Sequence, residues 1–282
     1  MNTRTTKRQS NNADEKECSN LNILPVRPME IKDKKVYHQN LPSISNSRGT
    51  LMLLIGSQNS GKTTIINNLL LSKHFWGGKQ SAFDGGVFIF SPSCEIDDSC
   101  RFLRENFECY TEYKDEYLEE IKNRQKAFKK EDMPKICIVA DDSSGLLSRK
   151  FFHFLTRFRH YNANVILSIQ NFKSLMPIAR SNANAVLLMN GIVNEKEMEK
   201  IEDEYSSQFK GTLKYCYKKF ASKPYSFLYL KIRKNPPEMF QNFTKKIEWK
   251  KYIKIAKSTK NYDDEFEDDV ELKDDFDRKF KK

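Results

Sequence analysis

One short stretch near the first fifth of the chain constrains the fold more than any other feature. Leu51, Met52, Leu53, Leu54 and Ile55 form a continuous apolar run, and Gly56, Ser57, Gln58, Asn59, Ser60, Gly61, Lys62 and Thr63 follow at once. The run is too uniform for a half-exposed strand and too short for a helix, so it predicts a strand buried on both faces. A helix-like stretch over residues 62–73 begins where the glycine-rich segment ends. Strand, turn and helix in that order give the context that the pattern G-x-x-x-x-G-K-[ST], the P-loop or Walker A motif, requires. Its residue types have physical reasons. The glycines let backbone N–H groups curl around a phosphate chain without a Cβ in the way, and the helix start adds its positive end. Lys62 can reach the β- and γ-phosphates, and Thr63 offers a hydroxyl to Mg²⁺. Residues 56–63, with Thr64 behind them, are therefore the candidate nucleotide-binding set, with ATP and Mg²⁺ as the expected cofactors.

The rest of the pattern fits an α/β domain. Residues 87–90, 136–140, 165–168 and 185–189 are further short apolar runs, and residues 113–130, 148–159 and 195–205 read as helices between or after them. Residues 225–232 alternate enough for an edge strand. Strands alternating with helices predict a mainly parallel sheet flanked by helices. The expected boundaries are a disordered polar N-terminus at 1–20, an extended lead-in at 21–48 and a folded domain at 49–235. A basic extension at 236–260 and an acidic tail at 261–282 follow.

Charge is unevenly placed. The chain of 282 residues carries a formal +11, yet residues 261–282 hold ten acids and five bases, so residues 1–260 carry +16. A body that basic suits an anionic partner such as nucleic acid, and the acidic end reads as a solvated tail. The longest apolar runs are far below the roughly 18–20 residues that span a bilayer, so no membrane segment is expected. The first residues lack an apolar core of the secretory kind, so no secretion is expected. The six cysteines form no CxxC pair, which favours reduced thiols over a zinc site.

Chemistry enters next with Asp141 and Asp142 at the end of the 136–140 run. An apolar strand ending in acid sets a carboxylate beside a P-loop, where Asp141 can serve as the metal-shell residue of a Walker B motif. A second carboxylate next door can orient and deprotonate a water, which fits Asp142 as general base. Two adjacent acids favour a hydrolase over a nucleotide kinase. In P-loop ATPases with an inserted strand between the Walker A and Walker B strands, that strand ends in a polar residue sensing the γ-phosphate; Gln170 stands at that place. The implied fold is the additional-strand, RecA-like branch of the P-loop NTPases. A multimeric ATPase also needs a cation donated to the neighbouring site, and Arg159 and Arg180 are both candidates for that finger. Arg157 is a candidate for DNA contact instead.

With those residues in place the chain resembles the viral genome-packaging ATPases of the FtsK–HerA superfamily, the poxvirus-type group also found in giant viruses and virophages. The matching stretches are residues 55–63, 88–92 and 138–142, Arg159 and His160 leading into 164–170, and 178–183. They run in the family order and span about residues 45–195. FtsK and HerA relatives usually carry Glu where this chain has Asp142, whereas the viral group resembles it in using Asp. The resemblance implies an ATP-driven pump for double-stranded DNA, a homo-oligomeric ring of five or six subunits, and a preformed capsid or portal as partner. Its place would be the virion or the host-cell cytoplasm. A conjugation- or plasmid-type DNA pump shares the chemistry, although such pumps often carry a membrane segment. A non-catalytic P-loop protein associated with DNA or capsid is the other alternative; Lys62, Thr63, Asp141, Asp142 and Gln170 standing together argue against it. The part from residue 195 onward carries no resemblance.

Overall fold

All five apolar runs expected as buried strands lie in one sheet. The computed structural model describes residues 40–42, 44, 49–77, 82–142, 145–192 and 194–258. Its strands are β1 (Leu51–Ile55), β2 (Val87–Phe90), β3 (Glu108–Tyr110), β4 (Ile136–Asp141), β5 (Ala163–Ile169), β6 (Ala185–Met189), β7 (Phe227–Lys231), β8 (Glu238–Gln241) and β9 (Lys245–Ile247). They form a single sheet in the order β3-β2-β4-β5-β1-β6-β7-β8-β9. Pairing is parallel from β3 through β6 and antiparallel from β6 through β9. The strand order places β5 between β1 and β4, which is the inserted strand of the RecA-like branch.

Both faces of the sheet are covered, as continuous apolar strands demand. Side chains alternate along β1: Leu51, Leu53 and Ile55 enter one core, and Met52 and Leu54 the other. Helix α1 (Lys62–Leu71) covers the second face with Ile65, Ile66, Leu69 and Leu70, helped by Phe75 and Trp76. The first face is covered by α3 (Asp115–Lys126), α4 (Arg149–Phe154), α5 (Pro177–Asn182), α6 (Glu195–Phe209) and α7 (Leu213–Phe220). The short helix α2 (Arg101–Asn106) precedes β3. Among the described residues no helix is long and apolar enough to cross a membrane.

Several elements differ from the sequence expectation. The helix expected over 148–159 stops at Phe154, and Phe158–Tyr161 form a separate 3-10 turn. The strand around 225–232 is internal rather than an edge, because β8 and β9 continue the sheet beyond residue 235. Met239, Phe240, Ile247 and Trp249 are buried there, so folded structure runs into the stretch expected as a basic extension. Part of the lead-in is also packed: Asn40 donates to the Phe243 carbonyl at 2.7 Å and accepts from the Tyr229 hydroxyl at 3.0 Å. Residues 1–39 and the tail at 261–282 lie outside the described residues.

Candidate active site

The carboxyl ends of the parallel strands, where open α/β sheets hold their ligands, carry five of the seven residues expected to do chemistry. Gly56 closes β1 by donating to the Ile169 carbonyl at 3.1 Å. A Cβ at Gly56 would stand 2.5 Å from Met189 Cβ, at the end of β6, so only glycine lets the turn sit this low. Gly61 is left-handed, at φ 92°, and no side chain caps the helix it opens. The first turn of α1 therefore presents its positive end to the hollow of the loop.

Lys62 curls back into that hollow. Its Nζ donates to the carbonyls of Gly56 at 3.0 Å and Ser57 at 2.9 Å, and stands 3.8 Å from Asp142 Oδ1. The side chain is only 5% exposed. Burial pushes its pKa below the usual lysine value, while Asp142 and Asp141 oppose that fall.

Asp141 and Asp142 sit side by side yet in different surroundings. Asp141 is the last residue of β4, 3% exposed, and its Oδ2 accepts from the Thr63 hydroxyl at 3.2 Å. Burial above all, and also the neighbouring Asp142, raise its pKa above the ordinary carboxylate value; the Ser168 hydroxyl, Thr63 and Lys62 pull the other way. Its Oδ1 and the hydroxyl of Ser168, its register partner on β5, are buried with no hydrogen bond of ordinary geometry among the described residues, although the hydroxyl is close enough to favour the ionised carboxyl. The Thr63 hydroxyl and the Asp141 carboxylate offer the hard oxygen donors that Mg²⁺ takes with several waters retained.

Asp142 has turned out of the strand. Its backbone is left-handed, at φ 49°, and its carboxylate is 33% exposed. The turn aims Oδ2 at Gln170, whose Nε2 donates to it at 2.9 Å, while Oδ1 faces Lys62. A non-glycine residue in this conformation is a local strain of the kind found at functional sites. One carboxylate thus bridges the expected sensor and the P-loop lysine, an arrangement able to hold a water between base and sensor.

The two arginines are not brought to this cluster. Arg180 on α5 pairs with Glu204 on α6 at 3.3 Å, and its guanidinium lies 5.0 Å from the Phe172 ring centre. Arg159 is exposed on the 3-10 turn before β5, with its guanidinium 5.4 Å from the Phe158 ring centre. That turn precedes the amino end of β5, so Arg159 stands at the opposite end of the sheet from the P-loop.

Sequence reasoning missed the support behind Gln170. Glu197 on α6 is buried and accepts from the Phe172 backbone N–H, two residues after Gln170. Together with the Arg180–Glu204 pair it ties α6 to the segment that follows Gln170. No local pattern marks Glu197, which reads as one more charge on an acidic helix.

Asp141 supplies a direct stability test. With its folded pKa raised above the unfolded value, the ionised group costs no stability below the unfolded pKa. The cost grows between the two and stands in full above the folded one. At neutral pH and without Mg²⁺, Asp141→Asn is therefore expected to raise the melting temperature, by about 2–4 °C for each kcal/mol relieved. If Asp141 holds Mg²⁺, the order should reverse with Mg²⁺ and ATP, because the variant would lack the ligand charge. Thermal denaturation with and without Mg²⁺–ATP reads both.

No protein-family model and no curated protein sequence matches this chain. The structure is similar to that of B204, the DNA-packaging ATPase from Sulfolobus turreted icosahedral virus, at a TM-score of 0.50 and 17% identity. That match covers 70% of this chain and 99% of the other. The cytoplasmic domain of the type VII secretion ATPase EccC from Thermomonospora curvata aligns at a TM-score of 0.45 and 14% identity. It covers 72% of this chain and 24% of the other. Strand order, the inserted β5 and the likeness to B204 establish that the chain has the additional-strand, RecA-like P-loop fold.

Proposed function

We propose that this protein is a Mg²⁺-dependent ATPase that drives double-stranded DNA and packages a viral genome into a preformed capsid. The observation that carries the reading is the Asp142 carboxylate set between Lys62 and Gln170, at 3.8 and 2.9 Å. In this account the P-loop backbone and Lys62 hold the phosphates, and Thr63 with Asp141 hold Mg²⁺. The bound ion supplies charge neutralisation to the transferring phosphoryl group. Asp142 orients and deprotonates the attacking water, and Gln170 reports whether the γ-phosphate is present.

Support for DNA as the substrate comes from the +16 carried by residues 1–260 and from the fold shared with B204, described as a DNA-packaging ATPase. A sequence-independent grip on backbone phosphates needs basic surface and no base readout. A trans arginine implies a heterologous interface and so a closed ring. Arg159 is the better finger candidate, because it is exposed and away from its own P-loop, whereas Arg180 is engaged with Glu204 and Phe172. In such a ring the capsid portal is the expected docking partner.

Turnover measured with and without double-stranded DNA tests the reading. DNA should stimulate hydrolysis, and specific activity should rise cooperatively with protein concentration as rings assemble. Turnover indifferent to DNA would leave an ATPase and remove the DNA motor.

A further inference from the structure

A tyrosine that plays no part in the phosphate chemistry leans on the P-loop from its other side. Tyr225 lies in the loop between α7 and β7, and its Cδ1 is 3.2 Å from where a Cβ on Gly61 would be. The residue is 41% exposed. Its backbone is left-handed, at φ 59°. Ser226 N–H donates to the Lys223 carbonyl at 3.1 Å, which closes a turn with Pro224 second and Tyr225 third. Turns with proline second and a left-handed third residue are built with glycine or asparagine at that place. A large aromatic residue there is strained, and its ring stacks on no other ring among the described residues.

The loop that carries it is fixed. Asn190, just past β6, donates its backbone N–H to the Ser226 carbonyl at 2.8 Å and its side-chain amide to the Ala221 carbonyl at 2.6 Å. The ring is therefore presented on a rigid mount rather than swept about on a tip.

Position identifies what the ring can meet. The strand order sets Asp141, the last residue of β4, and Asp142 just after it two strands from β1 on one side. The start of β7, which follows Tyr225, lies two strands from β1 on the other. A nucleotide in the P-loop with its γ-phosphate toward Lys62 and Asp142 must run its sugar and base away from β4, toward β6 and β7. We infer that Tyr225 is the stacking platform for the nucleobase, so that the site recognises a nucleoside triphosphate rather than a bare triphosphate. Every base has a π-face, so stacking supplies affinity with weak discrimination between bases. This inference rests on the nucleotide reading of the P-loop.

Two probes separate the base from the phosphates: a non-hydrolysable ATP analogue and inorganic tripolyphosphate, each titrated with Mg²⁺ by calorimetry. Tyr225→Ala should weaken the ATP analogue by about 5- to 150-fold, the range of a base–aromatic stack, and leave tripolyphosphate unchanged. Tyr225→Phe should restore most of the lost affinity. Tyr225→Gly relieves the left-handed strain, so it should melt about 2–4 °C higher while binding the analogue as poorly as the alanine variant. Equal losses for both probes, or no loss for either, overturn the stacking role and leave the P-loop reading standing. A wild-type protein that binds neither probe overturns both.

Discussion

Asp142→Asn is expected to lower ATP turnover by about 100- to 10,000-fold, the contribution of a positioned general base, while ATP binds at least as tightly as to the wild type. The two halves of that result have one origin. Asparagine keeps the shape of the side chain and an oxygen for the Gln170 amide, which donates to Asp142 at 2.9 Å. It cannot take a proton from water. It also removes a negative charge from beside the γ-phosphate position, so the ground state loses a repulsion as the transition state loses its base. Titration of ATP and steady-state phosphate release on one preparation separate the two. Asp142→Glu is a weaker test, because the left-handed backbone at φ 49° aims a short side chain at Gln170 and an added methylene overshoots it.

Lys62→Ala should reduce both binding and turnover. The ammonium is the only formal charge that the P-loop sequence itself supplies, and in the structure it is held by the carbonyls of Gly56 and Ser57. Those bonds keep it inside the loop. Charge-assisted hydrogen bonds are worth about 1.5–3 kcal/mol, so ATP affinity should fall by about 10- to 150-fold. Removing a preorganised donor from the developing charge should cost a further 100- to 1,000-fold or so in turnover. Lys62→Arg is expected to fail as well: the slot leaves the lysine 5% exposed and has no room for a planar fork. Calorimetry and phosphate release measure both losses.

The parts legible in the sequence are those whose signal is local. Residues 51–55 and 185–189 match β1 and β6 end for end, because strands buried on both faces read as unbroken apolar runs. β5 begins two residues before the expected 165, at Ala163. The reason is Asn164, a buried polar residue whose Oδ1 accepts from the Thr50 N–H at 2.9 Å and so substitutes for backbone pairing. Hydropathy cannot register such a residue as core. β8 and β9 escaped notice for a related reason. Glu238 is buried with Lys234 and Lys246 paired to it, at 2.8 and 2.6 Å, and the run of charges reads as a charged tail. The helix α7 follows α6 after a short turn and holds Leu213, Cys216 and Tyr217 among lysines, too brief a pattern to stand out.

The site divides along the same line. Lys62, Thr63, Asp141, Asp142 and Gln170 each end or follow a strand of the expected kind, and parallel register gathers them at one end of the sheet. Glu197 and Tyr225 reach the site only through the packing of α6 and the loop before β7, so no spacing in the sequence announces them. The arginines show the converse. Arg180 occurs in a family-like stretch, but its guanidinium is committed to Glu204 and Phe172 within the same chain.

Hydrolysis at the Lys62–Asp142–Gln170 cluster is read by phosphate release at saturating Mg²⁺–ATP. Steady release by the wild-type protein is expected, abolished by EDTA and reduced about 100-fold or more in Asp142→Asn, with bound ATP measured as present in the variant. Wild-type and Asp142→Asn proteins that bind ATP equally and release phosphate at the same rate would contradict it.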